Sequence, residues 1–293
     1  MQKSGVIYVL AAGFLWGCTG FFVRTLTGEF GFTTFQVVTL RLVDAAIAFL
    51  ILSLIKGKDT LKVKLKHLPI LFCSGFFGVF MLAVTYFSSM QCSSLSLAAI
   101  LMYTAPIFVM LASIVLFKEK LTFMKILSLI LALIGLVFVS GILKGDANVT
   151  FLGVVLGILS GITYGSYSIF GKYALKHYKG FTVTAWAFIF AGLSSLFIGD
   201  LPDMAQKIAT QASPKLIILL LSMGVVTAFM PFLLYTLGLS RLDASKAIIL
   251  ASVEPLVATV LGIVVFGEQT DVFSILGIFV ILVAVVLASL KKE

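Results

Sequence analysis

Two stretches decide the fold: Ala105–Thr122, APIFVMLASIVLFKEKLT, and Glu254–Thr270, EPLVATVLGIVVFGEQT. Each places a proline second (Pro106, Pro255), runs through an apolar block to a phenylalanine (Phe117, Phe266), and then meets a glutamate (Glu119, Glu268). The second copy follows the first at a shift of 149 residues, and working outward the shift persists. It matches Gly31-Phe32-Thr33 with Gly180-Phe181-Thr182, Gly75 with Gly224, Met81 with Met230, Tyr86 with Tyr235 and Ser96 with Ser245. Toward the start of each copy the shift is 148, matching Gly5, Gly13 and Gly17 with Gly153, Gly161 and Gly165, Trp16 with Tyr164, Phe22 with Phe170, and Arg24 with Lys172. Apolar composition alone would match leucine with valine, but not proline with proline and glycine with glycine. The chain is an internal repeat, divided at 1–145 and 146–293 into two halves that form one unit.

Composition names the solvent of this repeat. Of 293 residues, 61% are hydrophobic and 11% charged, with a mean hydropathy of +1.19. Soluble domains are about 45–50% apolar and about 25% charged. The chain must place most of its surface in lipid, and roughly 20 apolar residues make one helical crossing. Ten apolar spans can be marked, at about 5–24, 34–55, 67–89, 94–117, 121–141, 150–175, 181–198, 214–239, 243–266 and 270–290. The fold class expected is therefore an all-α polytopic membrane protein of ten transmembrane helices. Five spans per half is an odd number, so the second half enters the membrane inverted relative to the first. The first span lacks a small-residue cleavage site and runs on to Arg24, unlike a cleaved signal peptide.

The net charge of +9 reads as topology rather than as a nucleic-acid footprint. With the N-terminus placed inside, 14 Lys and Arg fall on inside segments, 4 on outside segments and 3 within spans. That bias puts both termini in the cytoplasm of a multi-pass protein of the cell inner membrane. The loop after span 2 carries Lys56, Lys58, Lys62, Lys64 and Lys66, whereas its counterpart after span 7 carries Asp200, Asp203 and Lys207, as opposite orientation demands. Cys18, Cys73 and Cys92 show neither metal spacing nor a disulfide framework and read as small apolar residues.

Inverted repeats enclosing a midplane site are a hallmark of secondary transporters. The two opening stretches, with Trp16-Gly17 in the first span and Arg41 in the second, resemble the drug/metabolite transporter superfamily, specifically its EamA-type ten-helix exporters and permeases. The resemblance covers about residues 5 to 290. It implies a monomeric basket of helices that moves small organic metabolites, and it leaves the substrate open among amino acids, amines, sugars and nucleotide-type solutes.

The candidate site residues follow from what is costly in lipid. Glu254 lies near the middle of span 9, where an ionised carboxylate costs roughly 2.5–3.5 kcal/mol, so it faces the protein interior, is paired, or is protonated. Pro255 frees the carbonyl of Ala251, a break tolerated where backbone lines a cavity. Together they mark a polar spot on a transport path, against the alternative of a hydrogen-bonded Glu254 that pins its helix to a neighbour. Arg41 stands three residues before Asp44 on one helical face, a spacing that suits a structural ion pair. In the other reading Arg41 receives a substrate carboxylate. Lys246 reads as a side chain reaching for the interface. Trp16 and Tyr164, and Tyr86 and Tyr235, are repeat mates whose mid-span positions favour a substrate-filled interior, with Tyr103 beside them. Thr19, Ser88 and Ser252 add hydroxyls. Gly13, Gly17, Gly161 and Gly165 form small-xxx-small steps suited to close packing, static or mobile.

The leading expectation is a secondary carrier, an exporter or facilitator working by alternating access. Its substrate is expected to be an amino acid or related zwitterion first and an amine second, with protons as a candidate coupling ion. No phosphate loop marks direct ATP drive, and no cofactor or metal is expected. Two other classes compete. An intramembrane enzyme is disfavoured because His67 and His177 sit at span edges and no protease or hydrolase motif is present. A lipid scramblase or membrane sensor would respond to lipids rather than to hydrophilic solutes. The partners expected are a small-molecule substrate and the bilayer, without nucleic acid and without a second subunit.

Overall fold

The computed structural model describes residues 2–140, 142–144, 150–267 and 272–290. Eight helices in it are long and apolar enough to cross a membrane: α1 (Lys3–Phe30), α2 (Thr34–Lys56), α3 (Leu65–Cys92), α4 (Leu97–Phe117), α6 (Phe151–Ala174), α8 (Pro214–Leu239), α9 (Ala244–Phe266) and α10 (Val272–Ser289). Two shorter apolar helices, α5 (Phe123–Val139) and α7 (Gly180–Ser195), complete both repeats within the same bundle. The outward faces carry large apolar side chains such as Ile55, Val115, Phe151 and Phe197, each at least 75% exposed. A water-soluble surface seldom shows this; a lipid-facing one requires it.

Where the sequence ended the first span at 24, the structure carries α1 on to Phe30. A local i→i−3 step at Cys18, whose N–H reaches Leu15, offsets its two parts. Arg24 thus lies on a helix, over the ring of Phe266 at 4.8 Å. The polar link after α7 also holds an amphipathic helix, Leu201–Thr210. Its Met204 and Ile208 pack on a cluster containing Phe22, Leu26, Val37 and Leu216. Gln36 fixes it, donating to Asp203 at 2.7 Å and accepting from Lys207 at 3.2 Å.

The first helix of each repeat packs on the other repeat. α1 lies against α8 and α9, and α6 against α3 and α4. Glycine allows the approach. A Cβ on Gly13 would sit 3.2 Å from the Ala251 carbonyl, and one on Gly17 2.9 Å from that of Glu254. In the other repeat Gly161 meets the Leu101 carbonyl at 2.8 Å and Gly165 that of Ala105 at 3.4 Å. α5 and α10 cross at Gly135 and Gly277, and α2 and α7 at Gly192, closing the bundle between repeats.

Two local distortions recur with the repeat. α4 is interrupted at Tyr103 and Thr104 and α9 at Ser252, each just before its proline. Pro106 and Pro255 offer no N–H to the carbonyls of Met102 and Ala251, and the ring crowds that turn. α3 and α8 each contain a π-helical segment, Phe76–Met81 and Val225–Phe229, directly after the matched Gly75 and Gly224. Such segments cluster at functional sites. Pro231 perturbs α8, but its counterpart is Leu82, so close packing at the two glycines is the shared feature. Gly75 lies under the Ala187 carbonyl and Gly224 under the Asp44 side chain.

Candidate functional site

The break in α9 aims Glu254 at the bundle interior. Its carboxylate accepts from the Tyr164 hydroxyl at 3.5 Å, and the Tyr103 hydroxyl, on the break in α4, approaches the same group. Tyr103 and Tyr164 meet edge to face, with centroids 6.5 Å apart. Trp16 packs edge-on against Tyr164 at 6.3 Å and Phe232 at 4.9 Å. Its indole N–H is buried without a hydrogen-bond partner. Tyr86 packs on Phe87 and lies within electrostatic reach of Glu254. Both breaks thus deliver side chains to one place, and α1 and α6 close around it.

Arg41 enters from α2. Its guanidinium and the Glu254 carboxylate feel one another electrostatically, yet they form no ion pair among the described residues. The Arg41 Nε is buried and unpartnered. The expected ion pair between Arg41 and Asp44 is absent as well, and Asp44 Oδ2 is buried without a partner. The spacing put the two on one face, but Asp44 turns toward α8, where its Cβ covers Gly224. Buried polar groups are normally satisfied. A donor on Arg41, a donor on Trp16 and an acceptor on Asp44, all left open in mid-bundle, therefore stand out.

The remaining candidates lie around this centre. Ser252, Tyr103, Pro106 and Pro255 line a void of about 10 Å³ against Leu129 and Leu136 of α5, room for roughly one water molecule. Thr19 is half-buried just past the offset in α1. Tyr235 does not reach Glu254; its hydroxyl pairs with Ser168 at 2.6 Å. Next to it Tyr167 pairs with Thr236 at 2.7 Å, and Phe232, Phe188 and Phe49 fill the layer. Tyr235, whose ring lies 5.4 Å from that of Trp16, is thus part of a floor beneath the site.

Below this floor, toward the lysine-rich loop, polar contacts join the two repeats. Glu119, at the end of α4, accepts from the N–H of Ala244 at 2.7 Å and of Ser245 at 3.3 Å, and from the Ser245 hydroxyl. A carboxylate on these unpaired donors caps α9 from the other repeat. Lys125 braces it, 3.7 Å from Glu119 and 2.8 Å from Asp243. Lys172 of α6 donates to the carbonyls of Leu239 and Leu242 at the end of α8. The loop after α2 lies across α7, with Trp186 donating to the Leu61 carbonyl at 3.0 Å and Thr182 to that of Thr60 at 2.7 Å. Lys246 reaches the last carbonyls of α10, at Ser289 and Leu290. Glu268, the repeat mate of Glu119, lies outside the described residues. The two ends of α9 differ accordingly: Ala244–Ala251 is almost wholly buried, whereas beyond Ser252 only Pro255, Val257 and Gly262 are.

Comparisons with known proteins agree with this architecture. A solved crystal structure superposes with a TM-score of 0.80 at 16% identity, covering 98% of this chain and 97% of that one, which establishes the fold. An uncharacterized transporter of Archaeoglobus fulgidus is 28% identical over 98% of this chain and 97% of its own length. The uncharacterized transporter YxxF of Bacillus subtilis is 26% identical over 100% of this chain and 92% of its own. The uncharacterized inner membrane transporter YicL of Salmonella typhimurium is 23% identical over 99% and 97%. The model of the EamA-like transporter family matches twice, at residues 3–141 and 151–290, once per repeat. With both repeats matched nearly end to end, the chain belongs to the EamA-like transporter family and is a multi-pass membrane protein of the drug/metabolite transporter type.

Proposed function

We propose that this transporter is a secondary carrier, an exporter or facilitator, for an amino acid or a related zwitterion. One observation carries the reading: Arg41 and Glu254 face the same interior yet stay unjoined, and Arg41 keeps a buried donor open. A zwitterion offers a carboxylate to the first and an ammonium to the second. Desolvating two opposite charges is costly unless each gains a partner, and the ligand supplies both. Tyr103, Tyr164 and Trp16 add aromatic faces for the cationic end.

Movement follows as alternating access, with α1, α8 and α9 shifting against α6, α3 and α4 around the breaks in α4 and α9. The two repeats, 1–145 and 146–293, act as one transport unit. The glycine seats of α1 and α6 support this reading, because backbone contacts slide without rotamer changes. The charge bias supports cytoplasmic termini, so the end closed by Glu119 and Lys172 is the cytoplasmic one.

The competing substrate is an amine, which needs Glu254 and the aromatic wall but not Arg41. Counterflow in proteoliposomes separates the two. With an amino acid, Arg41→Gln and Glu254→Gln are each expected to abolish exchange. Full exchange by Arg41→Gln would sink the zwitterion reading and leave the amine. Uptake at several pH values tests protons as the coupling ion; a Glu254→Gln carrier with unchanged rate and pH dependence removes Glu254 from that role.

A further inference from the structure

A second recess lies apart from Glu254, at the lysine-rich end. A groove of about 440 Å³ opens between the end of α4, the end of α6 and the turn after α8. Leu116, Phe117 and Leu175 form its wall, and Lys118, Lys172 and Lys176 form its lip. No acidic side chain is among the described residues that line it. The nearest carboxylates are already engaged: Glu119 caps α9 and Asp243 holds Lys125.

Lys118 is the informative member. Its backbone is left-handed, at φ +55°, and the equivalent residue of the second repeat is Gly267, at φ +64°. Glycine occupies that conformation without strain, and a lysine does not. A positive-inside bias explains lysines at this end of the bundle but not a lysine on this backbone position. Strain at a non-glycine residue is a pointer to function. Lys176 faces the same opening, its ammonium 5.3 Å from the Phe117 ring and 5.2 Å from the Tyr173 ring. The apolar wall continues outward onto Val115 and Leu116, which are 77% and 57% exposed. A ligand that fits therefore has an anionic head and an apolar body.

We propose that this groove binds an anionic phospholipid, with its phosphate between Lys118 and Lys176 and an acyl chain along Val115 and Leu116. Basic recesses between membrane helices bind such headgroups. The bound lipid bridges α4, α6 and the α8–α9 turn. Lys172 and Glu119 tie these same elements, so occupancy favours the closed lysine-rich end.

Native mass spectrometry of the purified full chain, with phosphatidylglycerol or phosphatidylcholine added in detergent, tests the site. The wild type is expected to retain one phosphatidylglycerol in preference to phosphatidylcholine. Lys118→Gly and Lys176→Gln are each expected to weaken that retention roughly fivefold. Lys118→Gly should fold, because glycine occupies the equivalent position, and its thermal stability in phosphatidylcholine provides the check. Lys66→Gln, on the same end but outside the groove, should leave retention unchanged. The proposal fails if the Lys118→Gly, Lys176→Gln double variant keeps the wild-type lipid preference. It also fails if Lys66→Gln lowers retention as much as either groove variant, which would indicate diffuse surface charge. Displacement of the lipid by an equal concentration of glycerol phosphate would assign the groove to a soluble phosphate instead.

Discussion

The breaks in α4 and α9 are the same structure with different chemistry. Each has a proline that frees a carbonyl one turn back, each freed segment lies on a glycine of a helix from the other repeat, and both point inward. At the residue before the proline, α4 carries Ala105 and α9 carries Glu254. Across from them, Arg41 of α2 is matched in α7 by Phe190. The shared residues make a hinge-like scaffold twice, and the unshared ones put charge into it once. An inverted repeat needs symmetry to present two related conformations, but a substrate has no such symmetry. Its binding groups belong where the copies differ.

The largest expected effect comes from swapping that difference. Removing one member of a buried, hydrogen-bonded charge site costs about 2–5 kcal/mol, roughly 30-fold or more in binding. Glu254→Ala should therefore lose counterflow to at least that extent, and adding Ala105→Glu should not restore it, because the carboxylate would then lack its relation to Arg41. Recovered exchange in the double variant would show that the two breaks are interchangeable.

The scaffold itself should respond symmetrically. A methyl on Gly13 would meet Val253 at 2.4 Å, and one on Gly161 would meet Thr104 at 2.7 Å. Gly13→Ala and Gly161→Ala should each destabilise by about 1–3 kcal/mol, as overpacking does, and to a similar degree in thermal unfolding. A neutral result at one position alone would show that the seats are not equivalent.

The cap on α9 should matter less for stability than for accessibility. Glu119→Gln keeps the shape but weakens charge-assisted bonds, at about 1 kcal/mol. In a chain lacking Cys18, Cys73 and Cys92, a cysteine placed at buried Ile248 should then react faster with a thiol reagent from the lysine-rich side. An unchanged labelling rate would remove Glu119 from the closure.

The smallest effect is at the opposite end. The hydrogen bond from Lys207 and, after it, that from Gln36 hold the exposed Asp203 carboxyl below the usual carboxylate range. A lowered folded value means that this contribution is present above the unfolded carboxylate range and is lost as pH falls through the lowered value. Amide exchange in Leu201–Thr210 should accelerate in Asp203→Asn at neutral pH, and the wild type should approach the variant only in acid.

Much of this was legible in the sequence. Apolar length marked the helices, and proline and glycine spacing marked the repeat, since both report local backbone requirements. Glu254 stood out because a carboxylate in lipid needs a reason. The helix Leu201–Thr210 escaped because its apolar face, Met204 and Ile208, is too narrow to register in a hydropathy window. The spacing of Arg41 and Asp44 suggested a pair, yet spacing reports only what can meet on one helix. Asp44 instead covers Gly224 on another. The role of Tyr235 as floor and of Glu119 as a cap depends on which helices touch, and no periodicity encodes that.

The cross-packing of α1 also constrains how the chain is made. α1 leaves the ribosome well before α9, the helix that covers Gly13 and Gly17, and before α8, which also packs on it. Until they arrive, α1 waits in the bilayer beside helices that are not its final neighbours. The closing contacts span more than two hundred residues of chain, and such distant partners make assembly slow. A chain truncated after the first repeat would strand α1 without its seat and α3 and α4 without α6. Assembly of this transporter is therefore completed only when late helices of the second repeat take up the place that α1 has kept open.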